Sequence, residues 1–147
     1  MKKEYEEFAA RFARAIVAGD FEAAHKFFAP WLQNEVSAAD FRALIEKWLW
    51  EMNEIWEIEE LIFPAEFTVS HNGSALEDLK KESDWRESRK ISDEVTDENF
   101  RQWMVIQFMP GEQDARVELD GWFDFWFILI ENGGELRIGY FELADVD

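Results

Sequence analysis

Tyr140 and His25 are residues whose type and position could support acid–base chemistry in a pocket. Alternation along residues 135–143 predicts that Tyr140 faces the core of a sheet. There its hydroxyl could donate a hydrogen bond to a ligand carbonyl or act as an acid. His25 lies in the short helical stretch "FEAAHKFF" and could act as a general base if that helix lines a cavity mouth. Phe125 and Phe127 are the candidate apolar wall of the same cavity.

Each of these residues also has a simpler structural interpretation. A buried tyrosine hydroxyl normally bonds to a backbone group, here to one from a helix. His25 without a catalytic partner is typical of a surface or helix-capping histidine. Two distant histidines and no cysteine predict no structural zinc site. The acidic stretch 92–98 lacks the glycine and ligand spacing of a calcium loop, and no motif predicts a cofactor.

The apolar run "DGWFDFWFILI" at residues 120–130 is predicted to be a β-strand because its residue types alternate. The odd positions from Val117 to Leu129 form an apolar row and are predicted to face the core. The even positions, among them Trp122, Asp124 and Trp126, then lie on the opposite side, here called the outer face. Gly121 is expected to be a bulge or bend, since an unbroken strand from 116 to 130 would be too long for one domain.

The stretch "NGG" at residues 132–134 predicts a tight hairpin with Asn132-Gly133 as a two-residue loop. In that register Phe125 lies opposite Tyr140, and Phe127 opposite Ile138, on the core side. The predicted pairs on the outer face are Trp126–Gly139, Asp124–Phe141 and Ile128–Arg137.

The outer face is therefore predicted to carry an apolar patch too large to be left in water. Three covers are possible: a second copy of the chain, another protein, or the polar stretch 74–98 folding back. The candidate interface residues are Trp103, Trp122, Asp124, Trp126, Ile128, Arg137 and Phe141.

Helical and strand periodicities predict an α+β fold in a single domain over residues 1–147. The helices are expected to cover one face of an antiparallel sheet. Helices are predicted from Lys3 to Ala18, over "FEAAHKFF" up to Pro30, behind the cap "SAAD" as far as Trp56, and at 75–82 within the polar excursion 74–98. Strands are predicted at about 63–69, 101–109, 116–130 and 135–143, with a turn at 71–73 after the first.

The composition limits the classes of partner. A chain of 147 residues with 48% hydrophobic residues is the size of one packed domain. The formal net charge of −18 disfavours nucleic acids and anionic lipids and favours a basic protein, although solubility alone explains such a charge. We expect neither a signal peptide nor a membrane span, and hence a cytoplasmic protein.

The chain resembles the nuclear transport factor 2-like superfamily. The residues that carry the resemblance are Gly19, Asp20, Ala23, Ala24, Phe28, Pro30 and the closing hairpin 132–140. The resemblance implies a cone-shaped α+β fold in which N-terminal helices pack on the concave face of a strongly bent antiparallel sheet. It also implies a cavity between the sheet and the helices, and dimerisation through the other sheet face. Enzymes of the superfamily place Asp, His, Tyr or Arg inside the cavity. The core-facing row of the longest strand has no carboxylate, so no catalytic residue is carried over.

Three functions follow as hypotheses, in order of preference. The first is a non-catalytic ligand-binding or protein-interaction domain, homodimeric through the outer face, with a cavity for a small apolar ligand. The second is an acidic inhibitor of the immunity type that binds a basic protein. The third is a cavity enzyme of the dehydratase, isomerase or cyclase type.

Overall fold

The computed structural model describes residues 2–55, 62–84, 91–110 and 123–145, which form an α+β fold. The helices are α1 Lys3–Val17, α2 Phe21–His25, α3 Pro30–Glu35, α4 Ala38–Ile55 and α5 Leu76–Asp84. The strands are β1 Glu66–Asn72, β2 Phe100–Met109, β3 Phe123–Asn132 and β4 Glu135–Asp145. These bounds confirm the N-terminal helices and the helix within 74–98.

The first two helices form as their sequences predict. Helix α1 buries Tyr5, Phe8, Phe12 and Ile16 along one face, which is the expected apolar stripe. Gly19 then adopts a positive φ of 73°, which few residues other than glycine tolerate. The carboxylate of Asp20 accepts a hydrogen bond from the Ala23 amide at 3.1 Å and so caps α2.

Helix α3 was not predicted. Pro30 was expected to end the second helix, but α2 already ends at His25 and Pro30 occupies the first turn of α3. Proline favours this position because its φ suits a helix and its missing N–H would have no helical acceptor there.

The long helix α4 begins as predicted and presents an apolar face to the sheet. The Asp40 amide donates to the Ser37 hydroxyl at 3.1 Å, and Phe41, Ile45 and Leu49 are completely buried. Trp50 lies off this face and is 43% exposed, as its position on the helix indicated. The predicted end at Trp56 lies outside the described residues.

The four strands form one antiparallel sheet in the order β1-β2-β3-β4. Strand β1 therefore extends the predicted three-stranded meander, and it continues to Asn72, through the first residues of the predicted turn. The predicted strand segment 116–122 and its bend at Gly121 lie outside the described residues.

The assignment of faces along β3 is confirmed. Phe123, Phe125, Phe127 and Leu129 are completely buried in the main core, together with residues of α1, α2 and α4. Ile128 and Ile130 belong to a second apolar cluster on the outer face, with Trp126 packed beside them. Trp103 and Val105 of β2 lie opposite Ile128 and Trp126, so they join the outer face as expected.

The predicted hairpin register was wrong by two residues. Asn132 pairs with Glu135, so the loop is Gly133-Gly134 and not Asn132-Gly133. Both loop glycines have positive φ, 62° and 82°, as a tight hairpin of this kind requires. In the observed register Leu129 pairs with Ile138, and both side chains are completely buried.

A β-bulge at Gly139 shifts the register again. Leu129 pairs with Ile138 whereas Ile128 pairs with Tyr140, so Gly139 is an extra residue in β4. The faces of all later residues are thereby exchanged relative to the prediction. Tyr140, predicted on the core side, lies in the outer cluster, and Phe141, predicted on the outer face, lies in the main core.

The predicted outer-face pairs change with the register. Trp126 lies opposite Glu142 instead of Gly139, and Asp124 lies opposite Ala144 instead of Phe141. Arg137 lies opposite Ile130 instead of Ile128.

The close packing around the bulge predicts that a side chain at Gly139 destabilises the fold. A Cβ at this position would lie 3.1 Å from methyl groups of both Ile130 and Val95. We expect Gly139→Ala to lower the free energy of unfolding by about 1–3 kcal/mol through overpacking, measured by urea denaturation. Gly73→Ala is the control, since a Cβ there meets nothing within 4 Å. Equal stability of the two variants would contradict the bulge geometry.

Candidate functional site

The predicted cavity wall is filled by aromatic rings. Phe125 lies 5.1 Å from Phe12 and 5.1 Å from Phe141, measured between ring centroids, and Phe127 lies 6.5 Å from Phe8. Both Phe125 and Phe127 are completely buried. At this point the space between sheet and helices is a packed core.

Tyr140 does not reach that core. It is 2% exposed on the outer face, where its ring stacks on Trp103 with centroids 6.4 Å apart. Its hydroxyl donates a hydrogen bond to Glu142 Oε2 at 2.9 Å. This acceptor is a carboxylate on the same strand, whereas a helix backbone group was the expected partner.

His25 joins the end of α2 to the end of α3. Its Nε2 lies 2.6 Å from the carbonyl oxygen of Val36 and 3.3 Å from that of Gln33, so this nitrogen carries a proton and donates. Because Val36 is the C-terminal cap of α3, these bonds satisfy carbonyls at a helix end. This geometry matches the capping interpretation of His25.

Part of the outer face is covered by the chain itself. Leu76 and Leu79 of α5, with Ile91 and Val95 of the following segment, pack on this face in one buried cluster. The strand residues in that cluster are Trp103, Ile128, Ile130 and Tyr140. Lys80 fixes the arrangement by donating to the Val95 carbonyl at 2.8 Å. Of the three covers considered, the structure shows the folded-back excursion.

Trp126 and Asp124 lie on the same face beyond this cluster. Trp126 is half-buried and stacks on Trp103 with ring centroids 5.3 Å apart. Asp124 Oδ1 is buried and has no hydrogen-bond partner among the described residues, and burial raises the pKa of this carboxyl above its usual value. Trp122, the remaining candidate interface residue, lies outside the described residues.

A pocket that was not predicted lies at the edge strand β4. Its volume is about 460 Å³, and it is formed where α1, the α2–α3 connection and the β3–β4 hairpin meet. Its lining residues are Phe8, Arg11, Lys26, Phe27, Glu135, Leu136 and Arg137.

Backbone hydrogen bonds to β4 bring these elements together. The Ile138 amide donates to the Phe27 carbonyl at 2.8 Å, and the Ala29 amide donates to the Ile138 carbonyl at 2.8 Å. The Phe27 ring meets Phe8 of α1 edge-on, with centroids 5.2 Å apart. Lys26 and Arg11 are consequently held beside the hairpin.

Three cationic side chains and one carboxylate line this pocket. Arg137 is 31% exposed; its guanidinium donates to the Glu135 carboxylate and, at 3.0 Å, to the Leu136 carbonyl. Arg11 and Lys26 are exposed, and neither has an ion pair within the part of the chain that the structure describes. The local excess of positive charge contrasts with the net charge of −18 of the whole chain.

Arg137, a candidate interface residue, lines the pocket in the structure. Its register position is on the outer face, as predicted, but β4 is the edge strand and the long side chain lines the pocket beside α1. The sequence contained one signal for Arg11 and Lys26. Both lie in residues 1–30, where charges are balanced, while the acidic excess lies in 46–60 and 112–147.

Comparison with known proteins returns no relative. No family model matches the chain, and neither does any curated protein or any solved structure. Across the described ranges, no group of three or more His, Asp or Glu side chains is placed to hold a metal ion. Among the same residues, no helix has both the length and the apolar character needed to cross a membrane.

Truncating a side chain that covers the outer face is expected to cause a large loss of stability. We expect Leu79→Ala to lower the free energy of unfolding by about 2–4 kcal/mol, since it leaves a cavity against Trp103 and its neighbours. Asp78→Ala, on the exposed side of the same helix, should change it by less than about 0.5 kcal/mol. Similar values for both variants in chemical denaturation would show that α5 does not cover the sheet.

Removal of the buried carboxyl of Asp124 is expected to stabilise the protein by an amount that depends on pH. A pKa raised in the folded state means that ionisation at neutral pH opposes folding. We therefore expect Asp124→Asn to be more stable than the wild type at pH 7. The margin should shrink as the pH falls through the raised pKa, because the wild-type carboxyl then becomes neutral.

The control for this experiment is Asp93→Asn, which makes the same change of charge at an exposed position. Urea denaturation of all three proteins between pH 7 and pH 4 measures the effect. A margin for Asp124→Asn that is independent of pH, or equal to that of Asp93→Asn, would contradict it.

Proposed function

We propose that the protein is a non-catalytic ligand-binding domain whose binding site is the pocket at β4, and that its ligand carries negative charge. The observation that carries this proposal is the convergence of Arg11, Lys26 and Arg137 on one pocket. The three cations come from α1, from the residue after α2 and from β4, so only the folded chain brings them together.

Electrostatics supports an anion in this pocket. Like charges gathered in one concavity repel one another, and a lining of low dielectric strengthens their field. In a chain of net charge −18 many carboxylates could neutralise them, yet among the residues that the structure describes only Glu135 lies in the pocket lining. A bound anion would supply the missing negative charge.

The packed interior supports binding in preference to catalysis within the sheet. Phe12, Phe125 and Phe141 are in ring contact where a cavity enzyme would hold its substrate. We place the chain in the nuclear transport factor 2-like superfamily as part of this proposal, on the order of its helices and strands. The pocket then lies beside the space that enzymes of that superfamily use.

Dimerisation through the outer face stays a prediction, and the part of this face that is available to a second copy is smaller than the whole. Trp103 and Ile128 are buried within a single chain, so a second copy would have to contact Asp124 and Trp126. A basic protein partner is favoured by the net charge alone.

The test is anion-dependent thermal stability. We expect inorganic phosphate at ten times its dissociation constant to stabilise the wild type by about 1.4 kcal/mol relative to sodium chloride of equal ionic strength. This corresponds to roughly 3–6 °C in Tm for a domain of this size. The double variant Arg11→Gln/Lys26→Gln should lose most of this difference.

The matched control is Arg14→Gln/Lys47→Gln, which makes the same change of charge at exposed positions outside the pocket. It should retain the wild-type response, which corrects for the general stabilising effect of phosphate on proteins. Equal responses from the two double variants would refute the pocket as an anion site.

A further inference from the structure

We infer that the ligand of the β4 pocket is an amphipathic organic anion, with a carboxylate head and an apolar aromatic or alkyl body. This inference rests on the proposed function and specifies the chemical class of the ligand. It follows from the apolar side of the pocket, from the pairing of its charges and from its volume.

The apolar side of the pocket gives an inorganic anion nothing to contact. Phe27 and Leu136 are half-buried, so both present apolar surface to the pocket, and Phe8 lies beneath the Phe27 ring edge. Apolar surface gains free energy only when another apolar group removes it from water. A ligand with an apolar body would use this surface and the cations together.

The pairing of charges shows which cations would bind the head group of the ligand. Glu135 already neutralises Arg137, which leaves Arg11 and Lys26 to bind an anion. The ion pair and the bond to the Leu136 carbonyl hold Arg137 in position. A carboxylate head group would accept charge-assisted hydrogen bonds from Arg11 and Lys26.

The volume of about 460 Å³ is in the usual range for small-molecule sites. It admits a bicyclic aromatic acid or a medium-length alkyl acid. Preferential binding of such an acid would distinguish this pocket from a general anion site.

The experiment is isothermal titration calorimetry with three probes. The probes are 2-naphthoate, its neutral isostere 2-naphthamide, and acetate as the head group alone. We expect 2-naphthoate to bind at least about tenfold more tightly than either of the other two, a difference of about 1.4 kcal/mol. The variant Arg11→Gln/Lys26→Gln should weaken its binding about tenfold, and Arg14→Gln/Lys47→Gln should leave it unchanged.

The outcomes separate this inference from the proposed function. If acetate and inorganic phosphate bind as tightly as 2-naphthoate, and only Arg11→Gln/Lys26→Gln abolishes it, the pocket is an anion site and the amphipathic ligand is wrong. If 2-naphthamide equals 2-naphthoate, or the two double variants behave alike, the proposed function fails as well.

Discussion

The extra residue at Gly139 determines on which face of the sheet each later side chain of β4 lies. Without it, Phe141 would leave the core; with it, Phe141 stacks between Phe28 and Phe125, with interplanar angles of 17° and 13°. The bulge is held from the helical side, since Trp31 donates its indole N–H to the Gly139 carbonyl at 3.2 Å. It is held from the other side by close packing against Ile130 and Val95.

Both surfaces of the sheet depend on this register. On the outer face it directs Tyr140 to Trp103, which completes the cluster that α5 covers. At the edge of the sheet, Ile138 precedes the bulge and bonds with the α2–α3 connection, and Lys26 is thereby placed beside the hairpin. The bulge thus accounts for the buried outer cluster, and the register of the Gly133-Gly134 hairpin accounts for the position of the pocket.

Much of the fold was predictable because periodicity reports burial directly. The alternation along β3, the stripe of α1 and the helix within 74–98 were all predicted. The register was not, because "NGG" offers two loops, Asn-Gly and Gly-Gly, that meet the same requirement for positive φ. The bulge had a signal that was missed: the apolar residues change phase at Gly139, from Leu136 and Ile138 to Phe141 and Leu143. The pocket had almost none, since its cations lie far apart in sequence and meet only through tertiary contacts.

Nuclear Overhauser contacts between the aromatic rings test the register of β4 most directly. We expect contacts from the Phe141 ring to Phe28 and Phe125, and from the Tyr140 ring to Trp103. Contacts from Tyr140 to Phe127, with Phe141 beside Trp126, would correspond to the same hairpin without the bulge. That result would contradict the placement of the outer cluster.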